Sequence, residues 1–280
     1  MSEGTRIEGG VGVITGGASG IGLATATALA RAGMNLVLAD IGEDDLVAAE
    51  DTVRAAGVQC ETMRTDVSDI DQVTALADRA YDRFDRVDFL FNNAGVYVSG
   101  PIAEMTHADW RWTIDVDLWG PIHGVEAFLP RMIEQGGPSH IANTSSFAGM
   151  TANRDLGAYC VAKYGVVALS EVLAKEARDH DIGVSVLCPM RLATAIDSSA
   201  RHRQDAYGGP LDEPEIDVDE EQMAGRTLDA DAAADLVVDS IRTRELYLFT
   251  HEESRRFIRR RFERIDAAFD AAPGDGVGSG

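Results

Sequence analysis

The sequence predicts an α/β protein with one doubly wound domain: a parallel sheet of about seven strands with helices on both faces. Short apolar runs alternate with helical patterns through most of the 280 residues, which is typical of β-α-β units. The apolar runs are nearly continuous, as strands buried on both faces require. No repeat or linker divides the chain, so residues 1–280 are expected to form a single domain of the Rossmann type.

The predicted strands and helices follow one another in strict alternation up to residue 188. Glycine-rich or acidic turns separate them, and each turn marks the point where the hydrophobic period changes. The predicted strands are 11–15, 35–40, 58–65, 87–91, 140–144 and 184–188. The predicted helices are 21–31, 44–56, 72–84, 108–134 and 158–179.

Two stretches depart from the alternation. Residues 191–226, the lid segment, are polar, interrupted by Pro and Gly, and contain an acidic run. A segment of this length inside a compact domain is usually a functional lid or is disordered. It follows the last predicted strand, at the edge where doubly wound folds bind ligands, which favours a substrate lid. The glycine-rich residues 273–280 are expected to be a flexible tail.

The charge balance narrows the classes of partner. Against 25 basic residues the chain has 47 acidic ones, for a formal net charge of -22. Nucleic acids and anionic membranes are bound by clustered Lys and Arg, so neither is expected as a partner. Three cysteines and six histidines form no metal-ligand or disulfide pattern, so no metal site is predicted. Without a signal-like N-terminus, the sequence favours a cytoplasmic location.

A glycine-rich turn between the first strand and the first helix is the predicted phosphate site. It reads Thr-Gly-Gly-Ala-Ser-Gly-Ile-Gly over residues 15–22. Glycines there allow backbone amides to approach a pyrophosphate, and the helix N-terminus adds positive potential. The expected contacts are Gly16, Ser19, Gly20, Ile21 and Gly22.

Acidic and amide residues at the ends of the next strands predict the adenosine side of the site. Asp40 ends the second strand, where a carboxylate accepts hydrogen bonds from both ribose hydroxyls and repels a 2′-phosphate. The cofactor is therefore predicted to be NAD and not NADP. Further contacts are expected at the ends of the third and fourth strands, from Asp66, Val67, Asn93, Ala94 and Gly95.

Tyr159 and Lys163 lie four residues apart on a predicted helix and so share one face. A neighbouring ammonium is expected to lower the pKa of the phenol toward working pH. The tyrosine could then exchange a proton, and a serine such as Ser146 could hydrogen-bond the reacting oxygen.

Taken together, these motifs resemble the short-chain dehydrogenase/reductase family over about residues 8–195. The matching residues also include Pro189 and Thr194. The resemblance implies hydride transfer between a nicotinamide and a carbonyl or secondary alcohol. It implies that Tyr159 is the general acid/base, that Lys163 lowers its pKa and binds the nicotinamide ribose, and that Ser146 orients the substrate oxygen. Thr194 would reach the carboxamide.

Two positions depart from the family pattern. Asp117 stands where the family usually has Asn, and it is expected to stabilise Lys163 as a cation while raising the pKa of Tyr159. Met190 follows Pro189 where the family usually has Gly, beside the expected nicotinamide pocket. An apolar substrate pocket is predicted from Val98, Met150, Ala152, Met190 and Tyr207. Residues 201–203 of the lid segment, Arg-His-Arg, are expected to be solvated.

Short later motifs, such as residues 196–201 and 245–250, are similar to bacterial dehydrogenases that oxidise benzylic alcohols of lignin-type aryl ethers. That similarity suggests a bulky, apolar or aromatic secondary alcohol or ketone. Two other functions stay open: a non-catalytic dinucleotide sensor or scaffold, and an epimerase or dehydratase that retains NAD. Within the resemblance, helices 108–134 and 158–179 are expected to pair across two-fold axes and give a dimer or tetramer.

Overall fold

A computed structural model describes residues 4–210 and 226–270 of the chain. Residues 211–225 of the lid segment and the tail at 273–280 lie outside the described residues. The expectations for these two stretches therefore stay predictions.

Seven parallel strands form the main sheet, in the order β3-β2-β1-β4-β5-β6-β9. This confirms the predicted fold class. The order reverses between β1 and β4, which places a topological switch point there. The strands of this sheet are β1 (Val11–Thr15), β2 (Asn35–Asp40), β3 (Cys60–Arg64), β4 (Phe89–Asn92), β5 (Ser139–Thr144), β6 (Ile182–Leu187) and β9 (Tyr247–Leu248). A separate short parallel pair joins β7 (Leu192–Ala193) to β8 (Leu228–Asp229).

Eight α-helices surround or extend from the sheet in the described residues. They are α1 (Gly20–Arg31), α2 (Glu43–Arg54), α3 (Ile70–Phe84), α4 (His107–Ile114), α5 (Gly120–Gln135), α6 (Gly157–Glu176), α7 (Ala230–Thr243) and α8 (Ser254–Asp270). One hydrophobic cluster joins α1, α2 and α7 to one face of the sheet. A second cluster joins α3, α4, α5 and α6 to the other face.

Alternation along the strands explains the two layers. Val13 packs in the α3–α6 cluster, whereas its neighbour Ile14 packs in the α1–α2–α7 cluster. Successive side chains of a strand point to opposite faces, so both must be apolar when helices cover both faces. Helix α6 with its following turn, Gly157–His180, has the length and apolar composition of a membrane span, but half of its apolar window is buried inside the protein. Core helices commonly have these properties.

The predicted helix 108–134 is interrupted by a wide turn. Between α4 and α5 the backbone forms a π-helix over Asp115–Trp119, although the residues on both sides keep right-handed helical angles. A π-bulge inserts an extra residue into a turn and often occurs at functional sites. Here it contains Asp117, which is completely buried. The spacing of apolar residues could not reveal the π-helix. One extra residue shifts that spacing no more than ordinary sequence variation does.

Candidate active site

Most of the predicted site residues converge on one cleft of about 330 Å³ at the carboxyl edge of the sheet. The cleft spans the switch point between β1 and β4, the position where open α/β sheets bind ligands. Its walls come from the glycine-rich turn, the ends of β2 to β6, and part of the lid segment.

The turn that follows β1 has the geometry of a phosphate cradle. Gly16 and Gly20 have φ angles of 62° and 50°, and a Cβ on Gly16 would lie 2.8 Å from Cα of Ala94. Helix α1 begins without a side-chain cap at Ser19, and its first turn holds no acidic residue. Its amides and its dipole are therefore available to an anion. Gly22 does not line the cleft; it is a glycine because a Cβ would meet the carbonyl of Gly16.

Asp40 is held at the end of β2 by two backbone amides. Ala18 N–H donates to its Oδ2 and Gly42 N–H donates to its Oδ1, each at 3.1 Å. The carboxylate lines the cleft next to Ile41 and Asp45. Two carboxylates at this end favour hydroxyl donors over a phosphate. The residues present thus fit a dinucleotide with an unmodified adenosine ribose.

Asn93 fixes the floor of the cleft. Its side-chain amide donates to the carbonyls of Thr15 and Gly16, both at 3.2 Å, and its Oδ1 accepts from Thr144 Oγ1 at 3.1 Å. The ends of β1, β4 and β5 are therefore tied together by one side chain. Ala94 and Gly95 line the same floor.

Ser146, Tyr159 and Lys163 are brought together at the other end of the cleft. Ser146 caps a 3-10 turn after β5, with its Oγ accepting from Ala148 N–H at 3.1 Å, and it lies beside the hydroxyl of Tyr159. Lys163 lies one turn along α6, only 2% exposed, with Nζ 5.4 Å from the centroid of the Tyr159 ring. The ammonium also donates to the carbonyl of Thr144 at 3.3 Å.

The pKa of Tyr159 is raised, contrary to the expected lowering by Lys163. Burial is the largest cause, and the charge of Asp117 is the second; the hydrogen bond from Ser146 acts in the opposite direction. Burial removes the water that would stabilise the phenolate of Tyr159. The single ammonium of Lys163, 5.4 Å from the ring, does not compensate for this loss. The expectation that Asp117 raises this pKa agrees with the structure.

Asp117 lies beneath the site and not on its wall. Its Oδ1 accepts from Val96 N–H at 2.7 Å, and its Oδ2 lies 3.7 Å from Lys163 Nζ. Among the described residues, Oδ2 has no hydrogen-bond donor. Burial raises the pKa of Asp117 to about 6, against the opposing effect of Lys163.

The lid segment covers the adenosine end of the cleft. Gln204 donates to Oδ2 of Asp66 at 2.7 Å, and Arg201 forms an ion pair with Asp45 at 3.8 Å. Arg201, His202 and Gln204 line the cleft. The expectation that residues 201–203 are solvated holds for Arg201, whose side chain is 53% exposed, and is wrong for Arg203, which is buried; His202 is half-buried.

Arg203 anchors this part of the lid segment to α4. Only 4% of its side chain is exposed, and its Nη1 lies 2.6 Å from Oδ1 of Asp109. Its Nε donates to the carbonyl of Tyr207, and its guanidinium lies over the ring of Trp112.

Four of the five predicted pocket residues do not line the cleft; only Met190 does. Val98 packs into the core near α3–α6, and Met150 packs against the cluster beneath α6. Ala152 is exposed, and Tyr207 hydrogen-bonds Asp115 at 3.0 Å. The pocket residues were predicted from their positions near strand ends. Such a position does not determine whether a side chain points into the cleft.

Of the other predicted cofactor residues, Ser19, Ile21, Val67, Pro189 and Thr194 line the cleft. Sequence reasoning missed an apolar wall around Tyr159. Tyr97 meets Tyr159 edge-on, with ring centroids 5.3 Å apart. Ala148 and Leu156 pack in the same cluster as Tyr159 and also line the cleft. Tyr97 follows the Asn-Asn-Ala-Gly motif by two residues, a position that could have drawn attention to it.

Comparisons with known proteins agree with this geometry. The family model for short chain dehydrogenases matches residues 11–205. A 1-deoxy-11-beta-hydroxypentalenate dehydrogenase of Streptomyces exfoliatus is 31% identical over 90% of this chain and 87% of its own. A C alpha-dehydrogenase of Sphingobium sp. (strain NBRC 103272 / SYK-6) is 30% identical over 91% and 85%. The crystal structure of a short-chain dehydrogenase/reductase from Burkholderia phymatum in complex with NAD superposes with a TM-score of 0.88, at 38% identity over 94% of this chain and 96% of that one.

Proposed function

The chain belongs to the short-chain dehydrogenase family, and from this premise we propose that it is an NAD-dependent oxidoreductase for a bulky, apolar or aromatic secondary alcohol or ketone. The observation that carries the proposal is that Ser146, Tyr159 and the buried Lys163 lie together at one end of a cleft that also contains the glycine-rich turn and Asp40.

Each residue of this group has a distinct task. Tyr159 takes the hydroxyl proton of an alcohol, or returns it to a ketone oxygen, as general base or acid. Ser146 donates a hydrogen bond to the same oxygen and fixes its position. Lys163 stabilises the phenolate that forms at Tyr159, because its ammonium is buried nearby and held by Thr144. The bound dinucleotide supplies the hydride acceptor for oxidation or the donor for reduction.

The preference for NAD is supported by Asp40. Its backbone hydrogen bonds fix a carboxylate where the adenosine ribose would lie, and such a group repels a 2′-phosphate. Replacing Asp40 with Ser is expected to raise kcat/KM for NADP relative to NAD by about tenfold or more, as loss of a close like charge predicts. Steady-state kinetics with both cofactors would measure the ratio. A wild-type enzyme that already prefers NADP would contradict the assignment.

The apolar substrate class is supported by the wall around Tyr159. Tyr97, Ala148 and Leu156 pack with Tyr159 and line the cleft, and binding sites with apolar walls hold apolar molecules. The two relatives described above are named as dehydrogenases of a hydroxypentalenate and of a Cα position.

A panel of secondary alcohols, assayed with NAD by NADH absorbance, tests the whole proposal. Benzylic and alicyclic alcohols are expected to react, and Tyr159→Phe should lower kcat at least about 100-fold, the usual contribution of general acid–base catalysis. The control is Tyr164→Phe, because Tyr164 lies five residues further along α6 and does not line the cleft. Activity on polar sugars alone would exclude the substrate class. Bound NAD that survives purification without net NADH formation would favour an epimerase, and full biological effect of Tyr159→Phe would favour a sensor.

A further inference from the structure

Helix α8 extends away from the rest of the protein. Near its start, Phe257 meets Phe147 edge-on at 5.7 Å between ring centroids, and Arg261 lies over the ring of Tyr164 at 5.1 Å. Beyond Arg261, every residue of the helix up to Asp270 is exposed. Of its 17 residues, therefore, only the first turns touch the domain.

The exposed part has an apolar stripe with a regular spacing. Ile258, Phe262, Ile265 and Phe269 are separated by four, three and four residues. This is the 3.5-residue repeat of a two-helix seam. Phe262, Ile265 and Phe269 are 53%, 42% and 74% exposed, so the stripe is not covered by the described part of the same chain.

A helix in this position needs a partner to remain folded. Isolated helices shorter than about 12–15 residues are marginal in water, and most helix stability comes from packing of an apolar face. Three large apolar side chains in a row also exceed what a soluble surface normally exposes.

The charges along α8 identify the partner. The first half holds five arginines, at 255, 256, 259, 260 and 261, and no acidic residue. The second half holds Glu263, Asp266 and Asp270 against a single arginine, Arg264. The basic half of one such helix is therefore complementary to the acidic half of another that runs in the opposite direction. Antiparallel helix dipoles add to this attraction.

We propose that α8 pairs with α8 of a second copy of this chain as an antiparallel two-helix seam about a two-fold axis. In this arrangement Phe262 packs against Ile265 of the second copy, and Ile258 packs against Phe269 of the second copy. Arg259 then flanks the seam opposite Asp266 of the second copy. This contact is separate from the pairing of α5 and α6 that the family resemblance implies.

The first test is the mass of the full-length protein in solution, measured by light scattering after gel filtration. The double variant Phe262→Ser/Phe269→Ser is expected to show half the wild-type mass. The matched control is Val47→Ser on α2, which removes another apolar side chain that is 59% exposed and should leave the mass unchanged. Circular dichroism and NAD-dependent activity establish that each variant is folded. An unchanged mass in the double variant overturns the proposal.

The second test examines the register. Phe262→Cys and Ile265→Cys are made in separate chains, which are purified, mixed and oxidised. A disulfide-linked dimer is expected in the mixture and not with either variant alone, because position 262 faces position 265. The three native cysteines are buried. Cross-linking of Phe262→Cys with itself contradicts this register and supports a parallel pair.

The third test uses charge. Arg259→Asp should weaken the dimer, and adding Asp266→Arg to the same chain should restore it, since both flanking pairs are then reversed. The alternative occupant of a basic, apolar helix is an anionic lipid surface. A wild-type monomer that sediments with phosphatidylglycerol vesicles, and loses this binding in Phe262→Ser/Phe269→Ser, would replace the dimer by a membrane contact.

Discussion

At the scale of single residues, Asp117 makes this site electrostatically unusual. It puts a buried carboxyl 3.7 Å from Nζ of Lys163, on the π-bulge between α4 and α5. Burial raises its pKa to about 6, so its charge changes within the range in which enzymes are assayed. Ionised Asp117 stabilises the ammonium of Lys163 and opposes the phenolate of Tyr159.

Replacing Asp117 with Asn is expected to shift the pH profile of alcohol oxidation. The carboxylate raises the pKa of Tyr159, so its removal lowers that pKa. The phenolate then forms at lower pH, and the acidic limb of the kcat/KM profile should move down by about one pH unit or more. Initial rates over a range of pH, with saturating NAD, measure the shift.

The control for this experiment is Asp115→Asn. Asp115 lies on the same π-helix, but it pairs with Arg111 and Tyr207 and does not contact Lys163. Its variant should keep the wild-type profile. If Asp117→Asn also keeps it, the carboxylate plays no part in tuning Tyr159.

At this scale the sequence predicted that Ser146, Tyr159 and Lys163 lie together, as they do in the structure, and missed the side chains around them. Ser146, Tyr159 and Lys163 were found because their chemistry depends on residue type and on a four-residue spacing that a helix preserves. Val98 and Tyr207 were wrongly assigned to the substrate pocket, and the contacts of Arg203 were not foreseen. Whether such side chains turn toward a cleft depends on packing between segments far apart in the chain. The local sequence pattern does not indicate this packing.

At the scale of elements, the main feature is a contact that holds the lid segment against α4. Arg203 is buried against Asp109 and Trp112, and Asp109 also closes the capping box of α4 with Thr106. The start of α4 and the lid segment therefore share one carboxylate. The lid segment in turn lines the cleft through Gln204 and its neighbours.

Breaking this anchor is expected to weaken cofactor binding more than catalysis. In Arg203→Gln the lid segment loses its anchor, so part of the binding energy of NAD must be used to order it. KM for NAD should therefore rise about tenfold, equivalent to about 1.4 kcal/mol. kcat should stay within about twofold, because Tyr159 and Ser146 are not touched. Steady-state kinetics with varied NAD measure both values.

Arg244→Gln is the matched control for the anchor. Arg244 and Asp181 form an ion pair of the same length, 2.6 Å, and neither residue lines the cleft. This variant should alter thermal stability and leave KM for NAD unchanged. An equal rise of KM in both variants would mean that general destabilisation is responsible.

Periodicity predicted the alternating strands and helices up to β6 within a few residues. It did not locate β7, β8, β9, α7 or α8, and it placed one continuous helix where α4, the π-helix and α5 lie. The strands β7 and β8 are two residues each, which is too short for an alternating pattern to be recognised. Their pairing depends on contact across the lid segment.

At the scale of the whole molecule, stability in acid depends on a buried histidine. His140 lies in β5, with Nε2 3.0 Å from Ser185 Oγ, and burial lowers its pKa to about 3. The unfolded chain has the ordinary value of 6.5. Because the folded pKa is the lower one, this stabilising contribution is complete above pH 6.5 and is lost as the pH falls toward 3.

Replacing His140 with Gln is expected to reduce the loss of stability in acid. The loss in unfolding free energy between pH 7 and pH 4 should shrink by about 3 kcal/mol relative to wild type. Urea titrations at both pH values measure the difference. His107→Gln, at an exposed position, should retain the full loss; a His140→Gln chain that also retained it would show that protonation of other groups dominates acid unfolding.

The hydrogen bonds of Asn93 have a consequence for exchange of backbone amide protons with solvent. The amides of Asn93 and Ala94 both donate to Thr15 Oγ1, at 2.9 and 3.2 Å, so these two amides of the cleft floor are engaged by the chain itself. In deuterium-exchange terms, cofactor binding should leave protection of these two amides unchanged. The slowing should appear instead in the turn that contains Gln204, because the entropic cost of binding falls on the lid segment.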